Sequence, residues 1–322
     1  MRVSIAMTTF NGERYLKEQL DSFLHQTQLP DELVICDDCS TDKTIEILEE
    51  FSSIAPFDVK IHVNEENLGF NRNFEKVIDL CDGDLIFISD HDDAWFKNKI
   101  ATMSNFLLSK DGVFMAMNDC EMADSDLKGT GISKIDQVQR YQGSIEGFIP
   151  GCCSVFLRKY KELLFPFPHN FSYDSWISFI GINTDSRVIL KEILQLYRRY
   201  QDNTTNHPFN SLNNIKPIQR YLRGIKQIFS SDHRAEKRKY NLNNLQASQE
   251  LEKRINKMFL SAAQSELQKN LSKMESNLRV NIARYENIEK LFSNLYFIRL
   301  LLSMKKVLSK ELTLKDFLFV NF

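Results

Sequence analysis

The sequence lacks the long apolar runs and the leader that would direct it across a membrane. No stretch reaches the roughly 18 consecutive apolar residues that a spanning helix needs. The first apolar stretch, Val3 to Met7, is too short for a secretory signal and runs directly into polar residues. We therefore expect a globular, cytoplasmic protein.

Cysteine is scarce, with six residues in 322, and the placement of these six argues against a disulfide framework. Cys152 and Cys153 are adjacent, and several of the others fall in apolar runs typical of strands. Cys36 and Cys39 have C-x-x-C spacing, but no second pair completes a zinc site. Free thiols in a reducing compartment are the interpretation that this pattern favours.

Two glycine-rich phosphate-binding motifs are also absent. Neither G-x-x-x-x-G-K-[ST] nor G-x-G-x-x-G follows the first apolar run. Their absence argues against P-loop nucleotidases and dinucleotide-dependent oxidoreductases. Aromatic residues are not interleaved with the basic clusters, so nothing indicates nucleic-acid binding.

The charge is divided unevenly along the chain, although the formal net charge is only −2. Residues 211–322 carry 21 Lys and Arg against 10 Asp and Glu, and the preceding residues carry 20 against 33. Strand-like runs stop near residue 210, and apolar residues at helical spacing follow. These are Leu242, Leu245, Leu251, Ile255, Phe259 and Leu267. We predict two regions, 1–209 and 210–322, the second all-helical and basic.

Repeated β-then-α units are predicted in the first 118 residues. The predicted strands are Val3–Met7, Glu32–Cys36, Val59–Val63, Leu85–Ser89 and Val113–Met117. Continuously apolar strands separated by amphipathic helices are typical of a mostly parallel α/β sheet that is covered on both faces. Ligands bind such sheets in the crevice beyond the carboxyl ends of the strands.

Chemically capable side chains follow each of the first four predicted strands. The segments are Thr8 to Gly12, Asp37 to Asp42, Asn67 to Asn73 and Asp90 to Asp93. The three carboxylates of the last segment repel one another unless solvent or a cation intervenes. Mg²⁺ or Mn²⁺ with bound phosphates would relieve that repulsion. Helix capping is the alternative role for some of these residues.

These segments, in this order, resemble the motifs of the family-two glycosyltransferases. The residues that carry the resemblance are Thr8-Thr-Phe-Asn-Gly12, Cys36-Asp-Asp-Cys-Ser-Thr-Asp42, Asn67-Leu-Gly69 and Ile88-Ser-Asp-His-Asp-Asp-Ala-Trp95. They are most similar to a rhamnosyltransferase-like branch from bacterial surface polysaccharide biosynthesis, in which Gln usually stands where this chain has His91. The resemblance implies a GT-A (Rossmann-like) fold, with a nucleotide-sugar half at 1–118 and an acceptor-side half at 119–209.

The resemblance also implies roles for single residues on the donor side. The residues that it assigns to the nucleotide are Thr8, Phe10, Asp37, Asp38, Arg72 and Asp90. It assigns the divalent cation, Mn²⁺ or Mg²⁺, to Asp92. We expect His91 to be a hydrogen-bonding neighbour rather than a ligand.

The acceptor side supplies a candidate general base. Gly147 to Arg158 resembles the family's glycine-rich segment, and Tyr173-Asp-Ser-Trp176 resembles its acidic motif at the start of a helix. Asp174 would take the proton from an attacking hydroxyl, which is otherwise a poor nucleophile at neutral pH. Capping of the helix is the alternative role for this carboxylate.

One segment departs from the pattern of the branch. The branch often carries Tyr-Arg-Gln-His after the acceptor region, whereas this chain has Tyr197-Arg-Arg-Tyr200. Tyr200 cannot replace His as an ordinary metal ligand, and Arg199 could neutralise a diphosphate instead.

The function predicted from the resemblance is transfer of a sugar, with inversion, from a nucleoside-diphosphate sugar to a glycan or lipid-linked acceptor. A nucleotide-binding subunit without catalysis and a sugar nucleotidyltransferase are the alternatives. The basic tail either packs as a helical bundle on the core or a partner, which includes a homo-oligomer, or attaches to the anionic inner leaflet.

Overall fold

The structure is a computed structural model that describes residues 1–142, 145, 150–200, 212–213, 231–261 and 265–292. The chain forms two compact units, one of residues 1–182 and 186–215 and one of residues 183–185 and 216–322. The predicted boundary at 209/210 and residues 147–149 of the predicted glycine-rich segment lie outside the described residues.

The first half of unit one alternates strands and helices as the sequence predicts. The strands are β1 (Val3–Thr9), β2 (Glu32–Asp37), β3 (Asp58–Val63) and β4 (Leu85–Ser89). The helices are α1 (Leu16–Leu24), α2 (Thr44–Ile54), α3 (Gly69–Leu80) and, after β4, α4 (Lys99–Leu108). Every residue of β1, β2 and β4 is buried, which explains why these strands are continuously apolar rather than alternating.

The four strands are parallel, in the order β3-β2-β1-β4. Their carboxyl ends therefore meet at one edge of the sheet, as expected for an α/β fold with ligands at that edge. The Asp42 carboxylate accepts a 3.0 Å hydrogen bond from the amide of Thr44, the first residue of α2.

The second half of unit one completes a nine-stranded mixed sheet. Its strands are β5 (Ala94–Trp95), β6 (Met115–Ala123), β7 (Gly129–Ser133), β8 (Ser154–Leu157) and β9 (Arg187–Arg198). Strand β8 enters antiparallel between β4 and β6, and β9 runs parallel to β6. The sheet is thus mixed but mostly parallel, as expected of a GT-A fold. The alternation of strands and helices in the first 118 residues did not predict that β8 would enter the sheet in the antiparallel direction.

Two further helices and two 3₁₀ turns complete the unit. They are α5 (Lys134–Gln142), α6 (Tyr173–Asn183) and the turns Gly151–Cys153 and Arg158–Leu163. Trp176 of α6 is fully buried, and its indole nitrogen donates 2.8 Å to the Leu164 carbonyl. All six cysteines are free thiols, as the sequence predicts.

Unit two contains two long helices, α7 (Ser231–Ser261) and α8 (Ser265–Phe292). The apolar residues that predicted these helices are buried to different extents. Leu251 and Ile255 are fully buried, Phe259 is 36% exposed, and the rest are half-buried, namely Leu242, Leu245 and Leu267. No helix in the described part of the chain is long and apolar enough to cross a bilayer.

Candidate active site

A cleft of about 580 Å³ lies at the carboxyl edge of the parallel strands. Its walls come from the ends of β1, β2, β4 and β9, the start of α3 and α6, and the turn before β8. Among the residues predicted from the sequence, the lining includes Thr8, Phe10, Asp38, Asp90, Asp92 and Asp174. Residues more than 160 positions apart in the sequence therefore share one cavity.

The Asp90–Asp93 loop connects β4 to β5 and carries three carboxylates in different environments. Asp93 is fully buried and accepts from the Gln195 amide at 2.9 Å and from the Arg198 backbone N–H at 3.0 Å. Burial, followed by the charge of Asp92, raises the pKa of Asp93 well above its usual range. The same two causes raise the pKa of Asp90 to about 7. Close negative charges in a poorly solvated cleft thus oppose ionisation of the loop.

The donor atoms of Asp90, Asp93 and Cys152 lie within 4.8 Å of one another, a spacing that a metal ion could bridge. Two of these are carboxylates, which suit Mg²⁺ and Mn²⁺, and the unfavourable ionisation of both fits a site that a cation would complete. The thiol suits a hard cation less well, because sulfur is a soft ligand. In addition, the Cys153 hydrogen bond and burial raise the pKa of Cys152 well above its usual range. Asp92, the predicted ligand, is outside this group of three but lines the same cleft.

Asp174 lies in the first turn of α6 and lines the cleft. Its Oδ1 accepts the Ser175 amide at 2.7 Å and also the Ser172 hydroxyl. Capping and exposure to the cleft are therefore compatible. Burial raises the pKa of Asp174 in spite of these hydrogen bonds, which makes the ionised carboxylate a stronger base.

Tyr173 joins the acceptor side to the Asp90 loop. Its ring stacks on Phe74 with centroids 3.8 Å apart, and its hydroxyl lies 3.5 Å from Asp90 Oδ1. A Cβ on Gly151 would lie 2.4 Å from that hydroxyl oxygen. Gly151 is therefore needed for the close approach of the tyrosine to the turn before β8.

Asp38 organises the side of the cleft formed by β2 and the start of α3. Its Oδ1 accepts from Asn64 Nδ2 and from the Leu68 amide, both at 2.8 Å, and its Oδ2 accepts from the Gly69 amide at 2.9 Å. Gly69 has a φ of +75°, a conformation that glycine adopts without strain. The carboxylate thus holds the turn that begins α3, in addition to lining the cleft. Phe10 is 49% exposed at the end of β1.

Two residues assigned to the nucleotide do not line the cleft. Asp37 is fully buried, and its carboxylate accepts from the Thr9 hydroxyl at 2.7 Å and the Ser40 amide at 2.8 Å. Arg72 is paired with Glu75 and donates to His169 Nδ1 at 2.9 Å. The geometry therefore gives Asp37 a role in shaping the β2 loop and Arg72 a role in tying α3 to residue 169.

Arg198, which no motif of the sequence singled out, supports the Asp90–Asp93 loop. Arg198 is 2% exposed, and its Nε donates 2.6 Å to the Asp92 carbonyl. Its guanidinium lies 4.3 Å from the centroid of the Tyr15 ring. Tyr15 in turn packs against Tyr200, with centroids 4.7 Å apart. In the sequence, only the position of Arg198 within the Tyr197–Tyr200 segment could have indicated this role.

Tyr200 contacts the predicted metal ligand directly. Its hydroxyl donates to Asp92 Oδ2 at 2.9 Å. Burial and the neighbouring Asp92 raise the pKa of the phenol, which therefore stays protonated and remains a donor. His91, which belongs to the Asp90–Asp93 loop, packs against Gly12. A Cβ added to Gly12 would lie 2.6 Å from the His91 ring.

A model of a known protein family matches the N-terminal half of the chain. The family model described as glycosyl transferase family 2 matches residues 4–164, which is half of the chain. The match covers β1 to β8 and the 3₁₀ turn Arg158–Leu163.

Two curated relatives extend the similarity. UDP-Glc:alpha-D-GlcNAc-diphosphoundecaprenol beta-1,3-glucosyltransferase WfgD from Escherichia coli is 28% identical, over 65% of this chain and 82% of the relative. The dTDP-rhamnosyl transferase RfbG from Shigella flexneri is 30% identical, over 61% of this chain and 72% of the relative.

Among solved structures, S. aureus TarS 1-349 in complex with UDP-GlcNAc superposes with a TM-score of 0.51 at 15% identity. The match covers 100% of this chain and 90% of that chain. At this identity the likeness supports the fold.

Proposed function

The chain belongs to glycosyl transferase family 2, and on that premise we propose that it transfers a sugar from a nucleoside-diphosphate donor in bacterial surface polysaccharide biosynthesis. The names of the two relatives specify UDP-glucose and dTDP-rhamnose chemistry, and one specifies a diphosphoundecaprenol acceptor. By analogy, the acceptor proposed for this chain is a glycan or a lipid-linked oligosaccharide.

The observation that carries the proposal is the shared cleft. Asp90 and Asp92 line it from the loop after β4, and Asp174 lines it from the first turn of α6. A nucleotide-binding subunit without catalysis would not need a carboxylate on the α6 side of the same cleft, and this favours the enzyme over that alternative.

The proposed reaction is a single displacement with inversion at the anomeric carbon. The acceptor oxygen forms a bond to that carbon as the bond to the diphosphate oxygen breaks, and the nucleoside diphosphate leaves with the electron pair. Asp174 takes the hydroxyl proton during the attack. A base of this kind contributes roughly 10²- to 10⁴-fold to the rate.

We propose Asp92 as the ligand of Mn²⁺ or Mg²⁺, with Asp90 toward the ribose. When bound, the cation would neutralise the charge that develops on the departing diphosphate. The carboxylates crowded at this loop support the assignment, because their ionisation is unfavourable without a compensating positive charge. Thr8, Phe10 and Asp38 are proposed to contact the nucleoside, as they line the same side of the cleft.

The remaining assignments are proposals at the level of the whole chain. We divide it into a catalytic domain at 1–209 and a basic helical region at 210–322. We place the protein in the cytoplasm, with the basic region able to contact the inner face of the membrane, where lipid-linked acceptors would lie. A homo-oligomer through the helical region is compatible with this arrangement.

A donor screen followed by Asp174→Asn tests the proposal. UDP-, dTDP- and GDP-sugars are compared for thermal stabilisation of the full chain in Mn²⁺, since a bound donor raises the apparent stability by mass action. With the stabilising donor, Asp174→Asn should keep the thermal shift and lose roughly 10²- to 10⁴-fold in transfer. Asp111→Asn, at an exposed position, is the matched control and should leave both unchanged.

Each alternative gives a different result. Near-full transfer by Asp174→Asn would assign the base to another residue. Donor binding by the wild-type chain with no transfer to any acceptor preparation would identify a nucleotide-binding subunit without catalysis. Formation of pyrophosphate from a nucleoside triphosphate and a sugar phosphate would identify a nucleotidyltransferase.

A further inference from the structure

We propose that Tyr200 is a positioning residue for the divalent cation, because its hydroxyl fixes the orientation of the Asp92 carboxylate. The proposal rests on the proposed function, in which Asp92 is the metal ligand. It assigns a role to the position at which the chain departs from the histidine of similar sequences, and that role requires no metal–phenol bond.

The contact that carries the proposal is direct. The Tyr200 hydroxyl lies 2.9 Å from Asp92 Oδ2, within ordinary hydrogen-bond distance. Tyr200 is half-buried, and its protonated phenol has one hydrogen to donate to the carboxylate. A hydrogen bond to one carboxylate oxygen fixes the plane of the group and therefore the direction in which its lone pairs point.

Tyr200 is itself held in place by packing. Its ring lies 4.7 Å from the ring of Tyr15, and the Arg198 guanidinium lies 4.3 Å from the Tyr15 centroid. Arg198 also donates from Nε to the Asp92 carbonyl. The 198–200 segment therefore holds Asp92 twice, by its main chain and by its carboxylate.

The sheet register explains why these two segments meet. Ala94 pairs with Leu196 between β5 and β9, so the residues just before Ala94 lie beside the residues just after Leu196. The pairing is antiparallel, which brings Asp92 toward residues 198–200. The contact between Asp92 and Tyr200 thus follows from main-chain hydrogen bonding rather than from a surface side chain that is free to rotate.

Loss of the Tyr200 hydroxyl should lower the affinity for the cation without changing the number of protein ligands that the cation has. Groups that hydrogen-bond to a metal ligand typically change affinity by about 10- to 100-fold when they are removed. Tyr200→Phe deletes the hydroxyl and keeps the ring that packs on Tyr15. It should therefore leave the fold intact and weaken cation binding within that range.

The experiment measures Mn²⁺ binding by the electron paramagnetic resonance signal of the free ion. The full chain is titrated with Mn²⁺ alone and with UDP, dTDP or GDP present. Tyr200→Phe should require about 10- to 100-fold more Mn²⁺ than the wild type. Tyr240→Phe removes a hydroxyl from a tyrosine that is 59% exposed on α7, and should match the wild type. Far-ultraviolet circular dichroism checks that each variant is folded.

A kinetic readout separates positioning from general damage. If Tyr200 acts through the cation, saturating Mn²⁺ should return the turnover of Tyr200→Phe to within about threefold of the wild type. The variant should then differ from the wild type only in the Mn²⁺ concentration that it needs. A loss of turnover that saturating Mn²⁺ does not restore would overturn the positioning role.

Asp92→Asn distinguishes failure of this inference from failure of the proposed function. If Asp92→Asn weakens Mn²⁺ binding while Tyr200→Phe binds as the wild type does, Tyr200 does not position the ligand and the metal assignment stands. If Asp92→Asn binds Mn²⁺ as the wild type does, the metal assignment is wrong and the inference fails with it. In the Asp92→Asn background, Tyr200→Phe should cause no further loss, because the two residues act through one carboxylate.

Discussion

Replacing Lys99 by methionine should destabilise unit one, because this lysine is a buried cation beneath the acidic loop. Lys99 is fully buried in α4, and its ammonium donates to the Cys152 carbonyl at 2.7 Å and to Gln195 Oε1. The ammonium also lies 3.9 Å from the centroid of the Trp95 ring. Gln195 in turn donates to Asp93, so the chain of contacts ends at the candidate site.

The expected magnitude follows from two opposing terms. Lys99→Met leaves two buried acceptors without their donor, and each such acceptor costs about 1 to 3 kcal/mol. In the other direction, the variant avoids burying a charge, and burial lowers the pKa of Lys99. Methionine fills a similar volume, so no large cavity forms. We expect the lost hydrogen bonds to win, with a net loss of about 2 to 4 kcal/mol in the free energy of unfolding.

Urea unfolding followed by tryptophan fluorescence measures this loss in unit one alone. The chain has two tryptophans, Trp95 and Trp176, and both belong to that unit. Lys97→Met is the matched control, because Lys97 is exposed two residues earlier. The control should lie within about 0.5 kcal/mol of the wild type.

The pH dependence gives a second check on the same variant. Because the folded-state pKa of Lys99 is lowered, the folded protein binds fewer protons than the unfolded chain between that pKa and about 10.4. As the pH rises through this window, the free energy of unfolding of the wild type therefore increases relative to that of Lys99→Met. A loss below about 0.5 kcal/mol at pH 7.5, or a gap that narrows with rising pH, would refute the reasoning.

Two further predictions concern the cleft itself. Because the folded-state pKa of Asp90 is raised to about 7, the folded protein loses stability as the pH rises from about 4 to 7. We therefore expect urea unfolding without divalent cations to show Asp90→Asn about 1 to 3 kcal/mol more stable than the wild type at pH 8. At pH 4 the two proteins should have similar stability. An Asp90→Asn variant that is less stable than the wild type at pH 8 would contradict this reasoning. Gly151→Ala should displace Tyr173, because the new Cβ would lie 2.4 Å from its hydroxyl oxygen. We expect a loss of about 1 to 3 kcal/mol in the same assay and weaker donor-induced thermal stabilisation, and a crystal structure with Tyr173 unmoved would contradict the steric argument.

The first half of the fold could be predicted from the sequence largely because β1, β2 and β4 are fully buried and are therefore short apolar runs. Strand β3 is half-buried at most. A helix lies between each of these strands and the next predicted one, so β1 to β4 and α1 to α4 agree with the pattern. The order of the strands and the antiparallel entry of β8 could not be predicted in the same way. Ser154–Leu157 is four residues long, and an apolar run of that length carries no signal of its direction or partner.

Within the site, the rule that ligands bind beyond strand ends selects segments but not single side chains. Asp37 and Asp38 are adjacent at the end of β2, so the rule treats them alike. Consecutive residues of an extended chain point in opposite directions, and here Asp38 lines the cleft whereas Asp37 turns toward Thr9. Arg72 shows the same limit on α3, since its pairing with Glu75 depends on helical phase.

The support of the Asp90–Asp93 loop comes from the end of β9, and no local pattern could predict it. Strand β8 is antiparallel to both β4 and β6, so β6 runs in the direction of β4, and β9 runs parallel to β6. The carboxyl end of β9 therefore reaches the same edge as that of β4, although about one hundred residues separate them. Antiparallel pairing of β5 with β9 then sets Asp92 and Asp93 against residues 195–200. Two reversals of chain direction thus bring Tyr200 to Asp92, which is why Tyr200→Phe tests a consequence of the topology.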